Sequence, residues 1–286
     1  MLTILTPAYN RAYTIHLAYE SLCRQTCMDF EWVVVDDGSA DNTEELVRQW
    51  QKETTAFPIF YEKQENGGKH RAVNRGVALA KGDYVLILDS DDFLTDDAVE
   101  VIAGWTAEIA QLSGFAGVSG LKDGARNGNM KAAYVDAKNT ERMKYGLQGD
   151  KAEVYKTEFM RKYPFPEFEG EKFLRENAVW DAIALDGYKL RWYNRVIYKC
   201  EYLADGLTQT ISVEKKAANF QGQTYCARLK MRYLRFPIKD LQIGVFCETA
   251  KYLKKTDKEI CELLGISSFR LLSGKMIYGL RNLLRR

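Results

Sequence analysis

Residues 2–88 alternate short apolar runs with segments of helical periodicity, and this alternation limits the folds that the chain can adopt. Four apolar runs have the length and β-branched content of buried strands: residues 2–6, 30–35, 59–62 and 84–88. The segments between them predict helices at about residues 11–25, 42–50 and 68–80, with apolar residues at helical spacing such as Ala72, Val73 and Val77. Strands that alternate with helices through short connections predict an α/β fold with a mostly parallel sheet flanked by helices.

Each of these runs leads into a polar cluster. The clusters are TPAYN at residues 6–10, DDGS at 36–39, NGGKH at 66–70 and DSDD at 89–92. Because ligands of a parallel α/β sheet bind beyond the carboxyl ends of its strands, the clusters mark a candidate site. A surplus of carboxylates at one edge opposes stability, since like charges repel. It fits a divalent cation or sugar hydroxyls that donate hydrogen bonds.

The second strand ends in an adjacent pair of carboxylates, Asp36 and Asp37. A strand-to-helix turn explains part of this stretch, with Gly38 as the bend and Asp41 or Asn42 as the cap of the next helix. That interpretation does not explain the pair itself. A bound polar ligand does.

The DSDD cluster carries the sharpest signal for a metal. Its carboxylates suit Mg²⁺ or Mn²⁺, which keep several waters and recruit phosphate oxygens from a substrate. Acidic clusters also occur in loops and helix caps, and that alternative stays open. The sequence has no EF-hand spacing and no Walker P-loop, so those two sites are excluded. The absence of G-x-G-x-x-G after the first strand disfavours a dinucleotide-binding fold.

Composition excludes further classes. Two His and six Cys without a Cys-x-x-Cys pair argue against a zinc site and a disulfide framework. The first residues lack the features of a signal peptide, and no apolar stretch reaches the roughly 18 residues of a membrane span. We therefore expect a cytoplasmic protein with reduced thiols.

Charge divides the chain into two parts. The net charge is +2, yet residues 206–286 carry a net +10 and the preceding residues a net −8. The pattern after residue 95 predicts a helix at 96–112 and then further strands: residues 115–121, 130–135, 152–156 and 191–198. We predict a catalytic domain over residues 1–205, with a nucleotide-binding half at 1–112 and an acceptor half at 113–205. A basic helical C-terminal extension follows at 206–286.

Three ordered segments, TPAYN, VVVDDGSADNT and NGGKHRAVNRGVALAKGDYVLILDSDD, resemble the signature of glycosyltransferase family 2 across residues 3–95. The later segment FPEFEGEKFLRENAVWDAI resembles one bacterial branch of that family more loosely. The resemblance implies a GT-A fold, with a Rossmann-like sheet. It also implies inverting transfer of a sugar from a nucleotide-diphosphate donor, usually UDP-linked, with Mn²⁺ or Mg²⁺ as cofactor.

The same resemblance implies roles for individual residues at the polar edge. Ala8 and Tyr9 would bracket the uracil, and Asp37 would accept its N–H while Asp36 supports the turn. The remaining candidates are Lys69 as a positive contact to the donor, Asp89 at the ribose, Ser90 as a further contact to the nucleotide sugar, and Asp91 as the metal ligand. Lys69 is equally explained as a solvated surface residue.

Inversion needs one general base that faces the acceptor hydroxyl. The family places an acid at the start of a helix, and Glu176 falls at that position. The match departs from the family pattern, because Arg175 replaces the usual acid and Glu replaces the usual Asp. Glu171 is the substitute candidate. A helix N-terminus also favours a carboxylate without any catalysis.

Two absences narrow the implied activity. Processive synthases of the family carry a Gln-x-x-Arg-Trp motif and transmembrane helices, and this chain has neither. We therefore expect a single sugar to be added to a glycan or lipid-linked acceptor in cell-surface polysaccharide synthesis, with no nucleic-acid partner. The alternatives are a nucleotidyltransferase and a non-catalytic nucleotide-sugar or membrane-binding module.

The last residues predict an amphipathic helix. One face contains Leu272, Met276, Ile277, Leu280, Leu283 and Leu284, and the other contains Arg270, Lys275, Arg281, Arg285 and Arg286. A helix that docks on the protein core gives the same stripe. The cationic polar face favours an anionic membrane surface instead, with the enzyme held peripherally on the inner face of the cell membrane.

Overall fold

The computed structural model describes residues 1–123, 128–200 and 212–284. The chain forms two compact units. The first, here called the sheet unit, comprises Met1–Phe165 and Ile183–Leu203. The second, the helical unit, comprises Pro166–Ala182 and Ala204–Arg286.

The sheet unit contains nine strands within the described residues. They are β1 Leu2–Ala8, β2 Phe30–Asp36, β3 Ile59–Lys63, β4 Tyr84–Ile87, β5 Phe93–Leu94, β6 Phe115–Asp123, β7 Tyr134–Ala137, β8 Lys151–Lys156 and β9 Lys189–Lys199. Its helices are α1 Ile15–Cys23, α2 Thr43–Glu53, α3 Lys69–Leu79, α4 Ala98–Ile109 and α5 Thr157–Lys162, with a 3-10 helix at Asn139–Tyr145.

The helical unit is built from the helices that follow residue 212, together with the start of α6. The bounds are α6 Asn177–Leu185, α7 Val213–Ala217, α8 Phe220–Tyr233, α9 Ile238–Tyr252, α10 Asp257–Leu264 and α11 Ser268–Leu283. Among the described residues, no helix is both long enough and apolar enough to cross a membrane.

The strands form one mixed sheet in the order β3-β2-β1-β4-β8-β6-β9-β5, with β7 paired to β9. The four strands predicted from the first apolar runs are parallel neighbours. Beyond β4 the pairings become mostly antiparallel, because β8 joins β4 and β6 in that sense. The predicted α/β class with a large sheet flanked by helices is confirmed.

The apolar content of the first strands follows from their central position. Every residue of β1 and β2 is buried, since each strand has neighbours on both sides and helices on the faces. One of the two acids in these strands, Glu31, accepts hydrogen bonds from the Thr3 hydroxyl at 2.6 Å and the Lys81 backbone N–H at 2.5 Å. Paired in this way, the carboxylate is tolerated in the core.

Two element boundaries differ from the sequence interpretation. The predicted helix at 11–25 begins only at Ile15, because Arg11 and Ala12 donate their backbone N–H groups to Thr43 and Asp41 instead. The predicted strand at 130–135 lies at Tyr134–Ala137, where it pairs with β9. Both shifts arise from contacts between distant segments.

We predict that Gly76→Ala destabilises the protein by about 1–3 kcal/mol. A Cβ at Gly76, on α3, would overlap with the fully buried side chain of Leu5 on β1. The matched control is Gly104→Ala on α4, where a Cβ meets nothing. Gly104→Ala removes helix-disfavouring glycine and is expected to stabilise by about 0.5–1 kcal/mol. Urea unfolding followed by tryptophan fluorescence checks both, and equal effects of the same sign would contradict the prediction.

Candidate active site

Register places the polar clusters at one edge of the sheet. β1 lies between β2 and β4, with Ala8 opposite Asp36 and Leu5 opposite Ile87. The polar residues after β2 and β4 therefore flank the end of β1. The Asp37 backbone N–H donates to the Ala8 carbonyl at 2.8 Å and continues this alignment past the last strand residue.

Asp37 holds the glycine-rich loop at residues 64–68. Its buried carboxylate accepts from the Gln64 side chain at 2.7 Å and the Asn66 side chain at 3.2 Å. It also accepts the backbone N–H groups of Gly67 at 2.9 Å and Gly68 at 2.7 Å. Four donors match the roughly four acceptor sites of a carboxylate. The sequence did not predict this role, although the neighbouring Asn-Gly-Gly run was a signal for a tight loop.

The other residues of the turn after β2 divide the remaining tasks. Asp36 accepts the Ser39 backbone N–H at 2.7 Å and the Tyr61 hydroxyl at 2.6 Å, so it supports the turn as predicted. Asp41 accepts the N–H of Thr43, the first residue of α2, at 3.1 Å. Asn42, the residue directly before α2, makes no side-chain capping bond. Gly38 has a φ of 84°, and a Cβ there would lie 2.9 Å from the Asn66 backbone nitrogen. Only glycine satisfies both constraints.

Lys69 and Asp89 form an ion pair across the edge. The Lys69 Nζ lies 2.5 Å from the Asp89 carboxylate, and about a third of each side chain is exposed. Lys69 is the first residue of α3, directly after the Gly68 that Asp37 holds. The Asp37 bonds therefore fix the position from which Lys69 reaches Asp89. Lys69 is not the solvated surface residue that was one of its two interpretations.

The pKa values of the carboxylates after β4 shift in opposite directions. Burial acts to raise the pKa of Asp89, but the charges of Lys69, Lys122 and Arg11 outweigh it and hold that pKa below its ordinary value. Burial and the charge of Asp89 raise the pKa of Asp91. The same two causes raise the pKa of Asp92 to about 6. A further cation near Asp91 would relieve this repulsion.

Two residues of the site were missed by the sequence interpretation. The hydroxyl of Tyr198, near the end of β9, accepts the Asp89 backbone N–H at 3.0 Å. Burial and the charges of Asp89 and Asp92 raise the pKa of Tyr198 well above its ordinary value. The Lys122 amine lies 3.9 Å from the centre of the Tyr198 ring. No local pattern marked either residue, because β6 and β9 reach this edge only through sheet pairing.

The remaining predicted nucleotide contacts lie at the same edge. Ala8 and Ser90 are buried, whereas the Tyr9 side chain is about half exposed. The Tyr9 ring is therefore accessible for stacking on a planar base. Asn10, which follows it, has a positive φ of 53° and accepts the Ala40 N–H with its side chain. This pairing fixes the loop that carries Ala8 and Tyr9.

The donor set fits a hard divalent cation. Asp91 is a partly exposed carboxylate beside Asp89, and oxygen ligands suit Mg²⁺ and Mn²⁺. Within the residues that the structure describes, no group of three or more His, Cys, Asp or Glu is arranged to hold a metal ion. Mg²⁺ usually completes its coordination with water and substrate phosphates rather than with an all-protein cage. Asp91 is the residue that would hold it here.

The two candidates for the general base lie in the helical unit. Glu176 is partly exposed directly before α6, and its carbonyl accepts the N–H groups of Val179 at 3.0 Å and Trp180 at 3.2 Å. Glu171 is buried, and its carboxylate accepts the N–H groups of Gln221 at 2.6 Å and Gly222 at 2.8 Å. These bonds give Glu171 a role as a cap of α8.

Comparison with family models matches residues 3–164 to the model described as glycosyl transferase family 2. The match covers more than half of the chain and includes every predicted residue of the nucleotide edge. The chain belongs to glycosyl transferase family 2.

Relatives of known name match over the same region. The glycosyltransferase GlyG of Streptococcus pneumoniae is 29% identical over 102 residues, which are 36% of this chain and 34% of GlyG. The chondroitin synthase of Pasteurella multocida is 40% identical over 101 residues, or 35% of this chain and 10% of that protein. The match thus spans 34% of the length of GlyG and 10% of that of the chondroitin synthase.

Solved structures resemble the fold over most of the chain. The Staphylococcus aureus TarS 1-349 structure with UDP-GlcNAc has a TM-score of 0.65 and 20% identity, covering 88% of this chain and 72% of that one. The mannosyltransferase PcManGT of Pyrobaculum calidifontis, solved with GDP-Man and Mn²⁺, has a TM-score of 0.57 and 18% identity. It covers 96% of this chain and 73% of that one.

We predict that Asp37→Asn lowers the free energy of unfolding by about 2–3 kcal/mol. The amide nitrogen would face two of the four donors and leave them without an acceptor in a buried site. The control is Asp83→Asn, which changes the same group where the side chain is 80% exposed in an ion pair with the N-terminus. That variant should stay within about 0.5 kcal/mol of the wild type. Equal urea midpoints for both variants would contradict the structural role of Asp37.

Proposed function

We propose that this chain is an inverting, metal-dependent glycosyltransferase that moves one sugar from a nucleotide-diphosphate donor, a UDP-sugar, to a glycan or lipid-linked acceptor. The observation that carries the proposal is the edge at which the family motif residues meet. There, Asp37 fixes the glycine-rich loop, and Lys69 at the start of α3 pairs with Asp89. Asp91 follows Asp89 by two residues, and the family motif makes its carboxylate our proposed metal ligand.

The residues of the sheet unit bind and orient the donor. The accessible Tyr9 ring stacks on the base, and Asp89 with Ser90 contacts the ribose. The family role of Asp37 as acceptor for the base N–H is retained as a proposal. Because four donors already occupy its carboxylate, that contact requires one of them to be shared or displaced. Lys69 offers its positive charge to the diphosphate.

The chemical step needs charge relief at the leaving group and a base at the acceptor. When bound at Asp91, Mn²⁺ or Mg²⁺ offsets negative charge on the departing diphosphate. Glu176 takes the proton from the acceptor hydroxyl, whose oxygen then attacks the anomeric carbon opposite the leaving oxygen. Attack from that side inverts the configuration. Glu171 is the weaker candidate for the base, because both of its oxygens accept backbone N–H groups of α8.

The names of the relatives support the class of substrate. The name chondroitin synthase denotes an enzyme that makes a polysaccharide. The TarS structure holds UDP-GlcNAc, and the PcManGT structure holds GDP-Man. The Mn²⁺ in the PcManGT structure supports a divalent metal. A UDP-sugar and a role in cell-surface polysaccharide synthesis follow as parts of the proposal.

We predict that Asp91→Asn reduces sugar transfer at least a hundredfold and leaves the fold intact. The substitution removes one charge from a partly exposed edge, so the urea midpoint should shift little. The assay is release of nucleoside diphosphate from a panel of UDP-, GDP- and dTDP-sugars with Mn²⁺ or Mg²⁺. Asp96→Asn, an exposed acid paired with Arg24, is the matched control and should keep wild-type activity. Wild-type rates in Asp91→Asn would remove the metal from the mechanism.

We further propose that the enzyme docks peripherally on the inner face of the cell membrane through α11. The helix packs on α9 with the face that carries Leu271 and Gly274, where a Cβ at Gly274 would lie 2.6 Å from Ile243. Its opposite face presents large apolar side chains that are 57–88% exposed: Phe269, Leu272, Met276, Leu280, Leu283 and Leu284. The predicted stripe is thus not the packing face, with the half-buried Ile277 as the exception.

The charges near this face fit an anionic surface. No acid follows Glu262 in the sequence, and residues 206–286 carry a net +10. Two basic residues of α11 are paired with acids: Arg270 with Asp240 at 3.3 Å and Lys275 with Asp257 at 2.6 Å. The attraction therefore depends on the net charge of the region more than on these two residues. Each Lys or Arg near an anionic leaflet contributes about 1 kcal/mol.

We predict that the double substitution Leu272→Gln with Leu280→Gln weakens vesicle binding by about thirtyfold, since each lost leucine removes roughly 1 kcal/mol of apolar burial. Both side chains are exposed, so stability should be unchanged. Co-sedimentation with phosphatidylcholine vesicles, with and without phosphatidylglycerol, measures binding. Met143→Gln, equally exposed on the sheet unit, is the control. Unchanged pelleting of the double variant would show that the exposed face of α11 does not bind the membrane.

A further inference from the structure

The segment that leads to Glu176 has no regular secondary structure of its own. Residues 171–175 belong to neither a helix nor a strand, and Glu176 lies in the turn before α6. Without ladder or helix hydrogen bonds, the conformation of such a segment is set by contacts with other elements. Those contacts therefore hold the backbone on which Glu176 is carried.

The N-terminal end of α8 holds the start of this segment by reciprocal hydrogen bonds. The Glu171 carboxylate accepts the N–H groups of Gln221 at 2.6 Å and Gly222 at 2.8 Å. In return, the side-chain oxygen of Asn219, which precedes α8, accepts the N–H groups of Lys172 at 3.0 Å and Phe173 at 2.9 Å. A carboxylate at a helix N-terminus is also favoured by the helix dipole.

Close packing supports these bonds. Glu171 and Leu174 are buried, and a Cβ at Gly222 would lie 2.9 Å from the Leu174 side chain and 3.3 Å from the Glu171 carboxylate. Glycine at residue 222 therefore lets the segment approach the helix backbone. The segment is held by shape as well as by hydrogen bonds.

The opposite end of α8 holds the other flank of Glu176. The hydroxyl of Tyr233, the last residue of α8, donates to the carboxylate of Asp181 on α6 at 3.0 Å. Glu176 lies midway in the chain between Glu171 and Asp181. Both flanks of Glu176 are thus attached to one helix that follows it in sequence by more than forty residues.

We propose that α8 positions Glu176 for proton removal from the acceptor, with Glu171, Asn219 and Tyr233 as positioning residues. The inference rests on the proposed function and deepens it. Donor binding belongs to the sheet unit, whereas the geometry of the base belongs to the helical unit. Loosening α8 should therefore lower the rate of the chemical step and leave donor binding unchanged.

The test measures nucleotide-sugar hydrolysis, with water as the acceptor, for the donor found in the panel above. Glu171→Gln and Tyr233→Phe should each lower kcat about tenfold to a hundredfold while KM for the donor stays within about twofold. Tyr233→Phe keeps the ring and removes only the hydroxyl, so it serves even if Glu171→Gln folds poorly. Thr256→Ala, which removes the N-cap of α10 in the same unit, is the control for lost stability and should keep kcat.

The decisive comparison uses Glu176→Gln as background. A positioning residue acts through Glu176, so adding Tyr233→Phe to Glu176→Gln should cause no further loss. An equal loss in both backgrounds, or equal losses in Thr256→Ala, would overturn the proposal. Loss of activity in Glu171→Gln with none in Glu176→Gln would make Glu171 the base. If the wild type releases nucleoside diphosphate from no donor, the proposed function itself fails.

Discussion

The hydrogen bonds to the Asp37 carboxylate are the interaction on which the polar edge of the sheet depends. They join the end of β2 to the glycine-rich loop and to the first residue before α3. Lys69 stands at the start of that helix, and its reach to Asp89 follows from where the loop is held. One buried carboxylate, fully paired with donors, thus joins the end of β2 to a loop and helix start that lie 31 residues further along the chain. An unpaired carboxylate in the same place would be costly, which explains why the loop supplies so many donors.

Nearby cations compensate the charge of only one of the three carboxylates after β4. Lys69, Lys122 and Arg11 favour the charged form of Asp89. Asp91 and Asp92, one turn further, are disfavoured as anions by burial and by Asp89 itself. Under the proposed function, this site gains from a cation that arrives with the donor, because the diphosphate of the donor alone would add negative charge.

Contacts of α8 and α9 organise the helical unit. Helix α8 holds both flanks of Glu176, and α9 carries α11 through a contact that small residues make possible, with Gly244 against Tyr278 and Gly274 against Ile243. Because that contact uses one face of α11, the opposite apolar face stays exposed. The proposals for surface attachment, through α11, and for placement of the base, through α8, therefore both concern the helical unit.

The sequence by itself determined what local patterns encode: the first four strands, the turn chemistry at Gly38, the acidic cluster and the family motif. Strand and helix periodicities are local, so they survive without knowledge of the fold. Tertiary structure decided the rest. Tyr198 meets Asp89 from 109 residues away, and no spacing rule marks such a pair. The sequence made Glu171 the substitute candidate for the base, and only the fold shows that its carboxylate accepts two backbone N–H groups of α8. The apolar stripe of α11 was compatible with packing on the protein or with exposure, because amphipathicity does not identify what a helix face contacts. The contact of Gly274 with Ile243 shows that α11 packs through its other face.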